Sequence, residues 1–117
     1  MTHKILIVDD DPSLRGFTAK ALTNEGMHVT EAEDGETAWD ILKGEHFDLL
    51  LTDIVMPNMD GVELSTKAIM LKPELKIMFM TGFTGMVHQL DSKTTVIAKP
   101  FHLKDIVLKV QNVLEEN

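Results

Sequence analysis

The residues of this chain that are best suited to chemistry are three acids, a hydroxyl and an amine. Each lies at or just after the end of a short apolar run: Asp9, Asp10, Asp53, Thr81 and Lys99. Clustered carboxylates repel one another strongly at low effective dielectric, so such a cluster either holds a cation or shares protons. Oxygen ligands without a nearby His or Cys favour a hard cation, and an incomplete set of carboxylates favours Mg²⁺ over Ca²⁺. If the fold brings them together, these residues predict a magnesium site.

The same residues also fit a site that accepts a phosphoryl group. A carboxylate can attack phosphorus as a nucleophile and form an aspartyl-phosphate. Phosphoryl transfer needs in-line placement and charge neutralisation more than covalent machinery. A divalent ion and Lys99 would supply the neutralising charge, and Thr81 could donate a hydrogen bond to a phosphoryl oxygen.

The elements that must position these residues alternate between strands and helices. Five apolar runs have strand length, at residues 4–9, 28–32, 48–53, 76–81 and 95–98. Segments with helical spacing separate them. Continuously apolar strands that alternate with helices indicate a parallel sheet covered on both faces. We therefore predict an open, doubly wound α/β domain, in which ligands bind beyond the carboxyl ends of the strands.

Capping residues and apolar spacing predict where the helices begin and which side they bury. Asp11 is suited to be the N-cap of the first helix, with Pro12 in its first turn. The spacing places Phe17 on the buried face of that helix. A later helix, entered through Asp60, is predicted to bury Leu71 together with the apolar residues one and two turns before it.

Composition limits the class of protein. The chain has 117 residues, of which 44% are hydrophobic, and this is enough for one domain with a single sizeable core. Its net charge of −8 argues against a nucleic-acid-binding protein, which must neutralise phosphates. It has no cysteine, and its first thirteen residues do not resemble a signal peptide. No apolar run could span a bilayer, so we expect a cytoplasmic protein.

Four motifs connect these observations to a known family. The segments VDDD (8–11), TDIVMPNMDG (52–61), MTG (80–82) and KPF (99–101) resemble the receiver domain of two-component response regulators. The resemblance covers essentially the whole chain. It implies a CheY-like, flavodoxin-like fold with strand order 2-1-3-4-5, and a single receiver domain over residues 1–117 with no output domain. It also implies a phosphoacceptor that catalyses its own phosphorylation and slow dephosphorylation, rather than an enzyme acting on other substrates.

The resemblance assigns a role to each acid at the strand ends. Asp53 matches the phosphoacceptor, and it would also contact Mg²⁺. Asp10 matches a direct magnesium ligand, and Asp9 matches the acid that supports the metal through water. Val55 matches the position whose backbone carbonyl also binds the metal.

The resemblance also assigns the residues that contact the phosphoryl group. Thr81 matches the switch hydroxyl, and Lys99 matches the phosphate-pairing lysine, whose bond to Pro100 is cis in the family. Two departures stand out. Val96 occupies a position that is commonly aromatic, and the interval between Thr81 and Lys99 is short and contains two glycines. We therefore expect the fourth helix, near residues 83–92, to be short, frayed or mobile.

Partners follow from the family as well. The resemblance implies that a histidine kinase or histidine phosphotransfer protein supplies the phosphoryl group. It places the downstream protein target on the face formed by the fourth helix, the fifth strand and the last helix. Within the family, residues 49–64, 75–83 and 99–107 resemble a subgroup of cell-cycle receivers. That subgroup is implied to contact a Clp-type AAA+ protease and to promote substrate degradation when unphosphorylated.

Three other functions can be weighed against the receiver. Asp9, Asp11 and Ser13 fit the D-x-D-x-S/T spacing of haloacid-dehalogenase-like phosphatases, which would form the aspartyl-phosphate on Asp9 but usually need a longer chain and a cap. A calcium-binding EF-hand loop starting at Asp9 would require Gly and Glu where this chain has Leu14 and Lys20, so that reading fails. A degenerate receiver acting only as an interaction platform would lack an acid or the lysine, and this chain has both.

Overall fold

The computed structural model describes residues 2–82 and 94–116, and it has the predicted alternation of strands and helices. In chain order the elements are β1 (Lys4–Val8), α1 (Pro12–Asn24), β2 (His28–Ala32), α2 (Gly35–Gly44), β3 (Leu49–Asp53), α3 (Gly61–Leu71), β4 (Lys76–Thr81), β5 (Thr95–Ala98) and α4 (Leu103–Glu115). The fourth helix expected near residues 83–92 lies outside the described residues. The label α4 therefore belongs to the helix that the sequence predicted as the last helix. No helix in the described ranges is long and apolar enough to cross a membrane.

The five strands form one parallel sheet in the order β2-β1-β3-β4-β5, as predicted. The chain moves outward from β1 to β2 and then returns to the other side of β1 to form β3. The strand order therefore reverses between β1 and β3, and this is where an open α/β sheet binds its ligands. The register pairs Val8 with Thr52, Asp53 with Met80, and Thr81 with Ala98. The carboxyl ends of these four strands consequently lie side by side.

Alternating side chains of the strands form two apolar layers. Ile5, Ile7, Leu49 and Leu51 point toward the layer that also contains buried residues of α1 and α4. Their neighbours Leu6, Val8 and Leu50 point toward the layer that contains buried residues of α2 and α3. All five side chains of β3 are buried. A strand covered on both faces in this way reads as a continuous apolar run rather than an alternating one.

Acidic side chains begin the first three helices. The Asp11 Oδ1 atom accepts hydrogen bonds from the backbone N–H groups of Ser13 and Leu14, which confirms Asp11 as the N-cap of α1. Asp34 caps α2 in the same way, and the hydrogen bond from the Thr37 backbone lowers the pKa of Asp34. Asp60 caps α3 through the amide of Glu63, at 2.8 Å.

Two predictions about buried helix faces are wrong. Phe17 is 63% exposed, because the buried side of α1 runs through Thr18, Ala19 and Leu22. The apolar spacing predicted that the large side chain of Phe17 is buried, whereas the buried face of α1 includes the small residues Thr18 and Ala19. Leu71 is 45% exposed because it is the last residue of α3. Leu75, in the turn that follows, is buried instead, in the apolar layer that contains residues of α2 and α3.

Candidate functional site

The three acids converge at the carboxyl edge of the sheet. Asp9 directly follows β1 and is fully buried, whereas Asp53 is the last residue of β3 and is 7% exposed. Asp10 is exposed. One carboxylate oxygen from each of the three residues lies within 4.8 Å of the other two. The strand-end positions read from the sequence therefore place these side chains in one cluster.

Lys99 links two of the acids. Its Nζ atom lies 2.9 Å from Asp9 Oδ2 and 2.8 Å from Asp53 Oδ2. The backbone N–H of Lys99 donates to the carbonyl of Thr81 at 2.8 Å, which joins the segment after β5 to the end of β4. Thr81 is fully buried. The bond between Lys99 and Pro100 is cis, as the family resemblance implied.

The two buried acids differ in how their carboxylates are engaged. Asp9 Oδ1 accepts a 3.0 Å hydrogen bond from the amide of Asp11, and its Oδ2 contacts Lys99, so both oxygens have partners. Asp53 also contacts Lys99 through Oδ2, whereas its Oδ1 accepts a longer bond of 3.3 Å from the amide of Val55 and has no other partner among residues 2–82 and 94–116. Asp53 therefore has the less constrained oxygen of the two.

The electrostatics of the site reflect burial and the shared lysine. Burial raises the pKa of Asp53, and the charge of Asp9 acts in the same direction, while the hydrogen bond and charge of Lys99 oppose them. Burial alone would lower the pKa of Lys99, but its hydrogen bonds to Asp53 and Asp9 outweigh that effect and raise it. Lys99 therefore stays protonated at neutral pH. One ammonium does not neutralise three carboxylates, and the site favours an additional cation.

The donor set fits Mg²⁺. It consists of carboxylate oxygens from two buried acids and one exposed acid, which are hard ligands that leave one side of the site accessible to solvent. The described residues bring no histidine or cysteine into this cluster, so the oxygen chemistry predicted from the sequence is retained.

Two residues that shape the site were not singled out from the sequence. The first is Gly61, where an added Cβ would lie 2.1 Å from the backbone oxygen of Asp53. The Gly61 amide also donates to the carbonyl of Ile54 at 2.8 Å, which closes the loop after β3. The pair Asp60–Gly61 at a helix start was the available signal, but only the structure shows that the glycine touches Asp53.

The second residue is Arg15, in the first turns of α1. Its Nη1 atom donates to the backbone carbonyl of Asp9 at 2.8 Å, and its Nε atom donates to Glu31 Oε1 at 3.0 Å. Neither contact has a sequence signature, because one partner is a main-chain carbonyl and the other, Glu31, lies on β2, sixteen residues along the chain.

Comparisons with known proteins agree with this geometry. A family model described as "Response regulator receiver domain" matches residues 5–111. The chain is 46% identical to "Response regulator receiver protein CpdR" of Brucella abortus over 115 residues, which covers 95% of this chain and 96% of that protein. CpdR is the receiver that residues 49–64, 75–83 and 99–107 were predicted to resemble, so the predicted resemblance to CpdR is confirmed.

Solved structures support the same assignment. A CheY-like receiver domain protein from Methanospirillum hungatei superposes with a TM-score of 0.88 at 31% identity, covering 98% of this chain and 95% of that one. The response regulator TrrA from Thermotoga maritima, solved in complex with Mg²⁺-BeF, gives a TM-score of 0.86 at 30% identity, covering 97% and 99%. The chain therefore belongs to the receiver domain family of two-component response regulators.

Proposed function

We propose that this receiver is a phosphorylation switch in which Asp53 accepts the phosphoryl group. The observation that carries the proposal is the contrast between the two buried acids. Asp9 is fully enclosed and both of its oxygens are engaged, whereas Asp53 retains slight exposure and has one oxygen that, within the described part of the chain, accepts a single hydrogen bond of 3.3 Å. The same contrast argues against the haloacid-dehalogenase alternative, which would require Asp9 to be the nucleophile.

The chemistry transfers one phosphoryl group from a histidine of a kinase or phosphotransfer protein. A lone pair of an Asp53 carboxylate oxygen forms a bond to phosphorus, the P–N bond to the donor histidine breaks, and its electron pair returns to the imidazole. In the later hydrolysis, water attacks phosphorus and the P–O bond to Asp53 breaks. Inorganic phosphate leaves, and the Asp53 carboxylate is restored.

The chain's own residues prepare the site for this transfer. Asp9, Asp10, Asp53 and the backbone carbonyl of Val55 would hold Mg²⁺, which when bound would neutralise charge on the phosphoryl oxygens. Lys99 already contacts Asp53, so its ammonium can pair with a phosphoryl oxygen attached there. Thr81 would donate its hydroxyl to another phosphoryl oxygen.

The signal would leave the site through β4, β5 and α4. Lys99 and Thr81 are joined by a backbone hydrogen bond, so a movement of either residue is transmitted to the other strand. Leu108 of α4 is 57% exposed, which gives the adjoining face an apolar residue suited to a protein target. We propose that phosphorylation changes affinity at this face and that residues 1–117 act as one receiver domain, as the similar length of CpdR supports.

A narrower part of the proposal concerns the target. The resemblance to the CpdR subgroup supports control of a Clp-type AAA+ protease, with substrate degradation promoted by the unphosphorylated form. A pull-down with purified protease should retain more of the beryllofluoride-free protein than of the beryllofluoride-treated protein. Equal retention, or none, would remove the protease from the proposal without affecting the assignment of Asp53.

Phosphorylation itself is tested with acetyl phosphate and Mg²⁺. Intact mass spectrometry should show one added phosphoryl group on the wild type and none on Asp53→Ala. The exposed acid Asp40 on α2 provides a matched control, and Asp40→Ala should label as the wild type does. Equal labelling of wild type and Asp53→Ala contradicts the assignment, and a label mapped to Asp9 would instead support the phosphatase alternative.

A further inference from the structure

The Arg15 guanidinium connects three segments of the chain. It extends from α1 and donates through two different nitrogen atoms, to the carbonyl that follows β1 and to Glu31 of β2. A guanidinium is planar and rigid, so fixing one N–H direction also fixes the other. The bond to Glu31 therefore orients the group that holds the Asp9 carbonyl.

The hydrogen bond from Arg15 to the Asp9 carbonyl completes the set of contacts that hold Asp9 in place. The Asp9 backbone amide donates to the carbonyl of Ala32 at 3.3 Å, and its carboxylate is held by the Asp11 amide and by Lys99. Arg15 supplies the remaining contact, at the carbonyl oxygen. With that oxygen held, the peptide plane between Asp9 and Asp10 has a defined orientation.

The orientation of this peptide matters most for Asp10. Within the described part of the chain, no hydrogen bond or ion pair is found for the Asp10 carboxylate, which reaches the cluster only because its backbone directs it there. A rotation of the Asp9–Asp10 peptide would carry this carboxylate away from the other two.

We infer that Arg15 is a positioning residue for the metal-binding acids, acting on Asp10 through the Asp9 carbonyl. The inference rests on the proposed function, because it assumes that Asp9, Asp10 and Asp53 hold Mg²⁺. The positive charge of Arg15 by itself would weaken cation binding. That charge is paired with Glu31 and is screened where the pair meets solvent, whereas the hydrogen bond acts directly on the backbone. Positioning therefore outweighs repulsion.

The test compares Arg15→Met and Arg15→Lys with a control that removes a surface cation elsewhere. Lys43→Met serves as the control, because Lys43 is half exposed and pairs with Asp40 on the same helix. Titration calorimetry with Mg²⁺ alone should give a dissociation constant about tenfold larger for Arg15→Met than for the wild type. This is the lower end of the affinity loss seen when a residue that orients metal ligands is removed. Arg15→Lys keeps the charge but not the planar fork, so it should lie between Arg15→Met and the wild type.

Kinetics separate positioning from general damage. The rate of phosphorylation by acetyl phosphate, measured against Mg²⁺ concentration, should require about ten times more Mg²⁺ for half-saturation in Arg15→Met and should reach the wild-type maximum. A lower maximum with unchanged half-saturation would contradict the inference. Unchanged or tighter Mg²⁺ binding would also overturn it, the latter by showing that charge dominates.

A further readout needs no metal. The Asp11 amide donates to Asp9 Oδ1, so its hydrogen exchange should be faster in metal-free Arg15→Met than in the wild type, while amides of β3 remain protected. Exchange at Asp11 that matches the wild type would contradict the positioning role. If the wild type neither binds Mg²⁺ nor labels on Asp53, the proposed function fails. If the wild type does both and the Arg15 variants behave as the wild type does, this inference alone fails.

Discussion

The two ends of the sheet use a lysine in opposite ways. At the start of β4, Lys76 Nζ donates to the carbonyls of Val113 and Leu114 at 2.8 and 3.2 Å, and also to that of Glu116, so it satisfies the carboxyl end of α4. At the other end, Lys99 contacts two carboxylates. Neutral carbonyls at a helix end gain from a fixed cation and do not repel one another strongly.

Lys76 therefore stabilises the fold, whereas Lys99 is part of the candidate functional site. Around Lys76 the polar groups are carbonyls that need a donor in every state of the protein. Around Lys99 the single positive charge of the lysine does not balance the charges of Asp9, Asp10 and Asp53, so these acids still repel one another. Burial also raises the pKa of Asp53. The carboxyl end of the sheet is thus organised for a second cation, at some expense in stability, while the amino end is organised for stability alone.

The largest expected effect comes from crowding the carboxyl end. We predict that Gly61→Ala lowers the free energy of unfolding by about 3 kcal/mol, because the new methyl group would collide with the Asp53 backbone. Chemical denaturation measures this change. Gly16→Ala is the matched control, since its Cβ meets nothing within 4 Å and alanine favours a helix, so it should stabilise the protein by about 0.5–1 kcal/mol. Equal effects of the two substitutions would show that the contact at Gly61 is unimportant.

A smaller effect tests the amino end. We predict that Lys76→Met lowers the free energy of unfolding by about 2 kcal/mol, because carbonyls at the end of α4 lose their donor. The loss should be nearly the same with and without Mg²⁺, as measured by thermal unfolding. If Mg²⁺ offset the loss in Lys76→Met, the proposed separation between the two ends would be wrong.

The smallest effect has the opposite sign. We predict that Asp53→Asn raises stability at neutral pH without metal, by on the order of 1 kcal/mol, because it removes a buried carboxylate whose charged form is disfavoured. An acid whose pKa is raised in the folded state contributes stability that is fully present below its unfolded pKa, about 3.9, and is lost as pH rises through the folded pKa. The advantage of Asp53→Asn should therefore appear as pH rises above about 4.

Magnesium provides the complementary measurement. It should raise the melting temperature of the wild type, because a ligand that binds only the folded state stabilises it, and it should raise that of Asp53→Asn less. A constant difference between the melting temperatures of the two proteins across pH and Mg²⁺ concentration would mean that burial and the charge of Asp9 do not disfavour the charged form of Asp53.

Much of this architecture could be predicted from the sequence because it depends on local patterns. Apolar runs located the strands, and the residue closing each run located Asp53 and Thr81. The helix caps at Asp11 and Asp60 were also readable, since a cap acts within one turn. The strand order came from the family resemblance and not from periodicity.

The remainder depends on packing between distant segments. The exposure of Phe17 follows from how α1 settles on the sheet, where Ala19 takes a buried position. The bond from Arg15 to the Asp9 carbonyl requires that α1, β1 and β2 be assembled, and a main-chain acceptor leaves no trace in residue identity. The close approach of Gly61 to Asp53 has the same character, because it is set by the path of the loop between them.

The complete burial of β3 has one more consequence. A slip of one residue would exchange the two faces of this strand and carry Asp53 away from Asp9 and Lys99. Under the proposed function, only a chain whose central strands have reached this register could accept a phosphoryl group on Asp53, so chains with slipped strands would not respond to the phosphoryl donor.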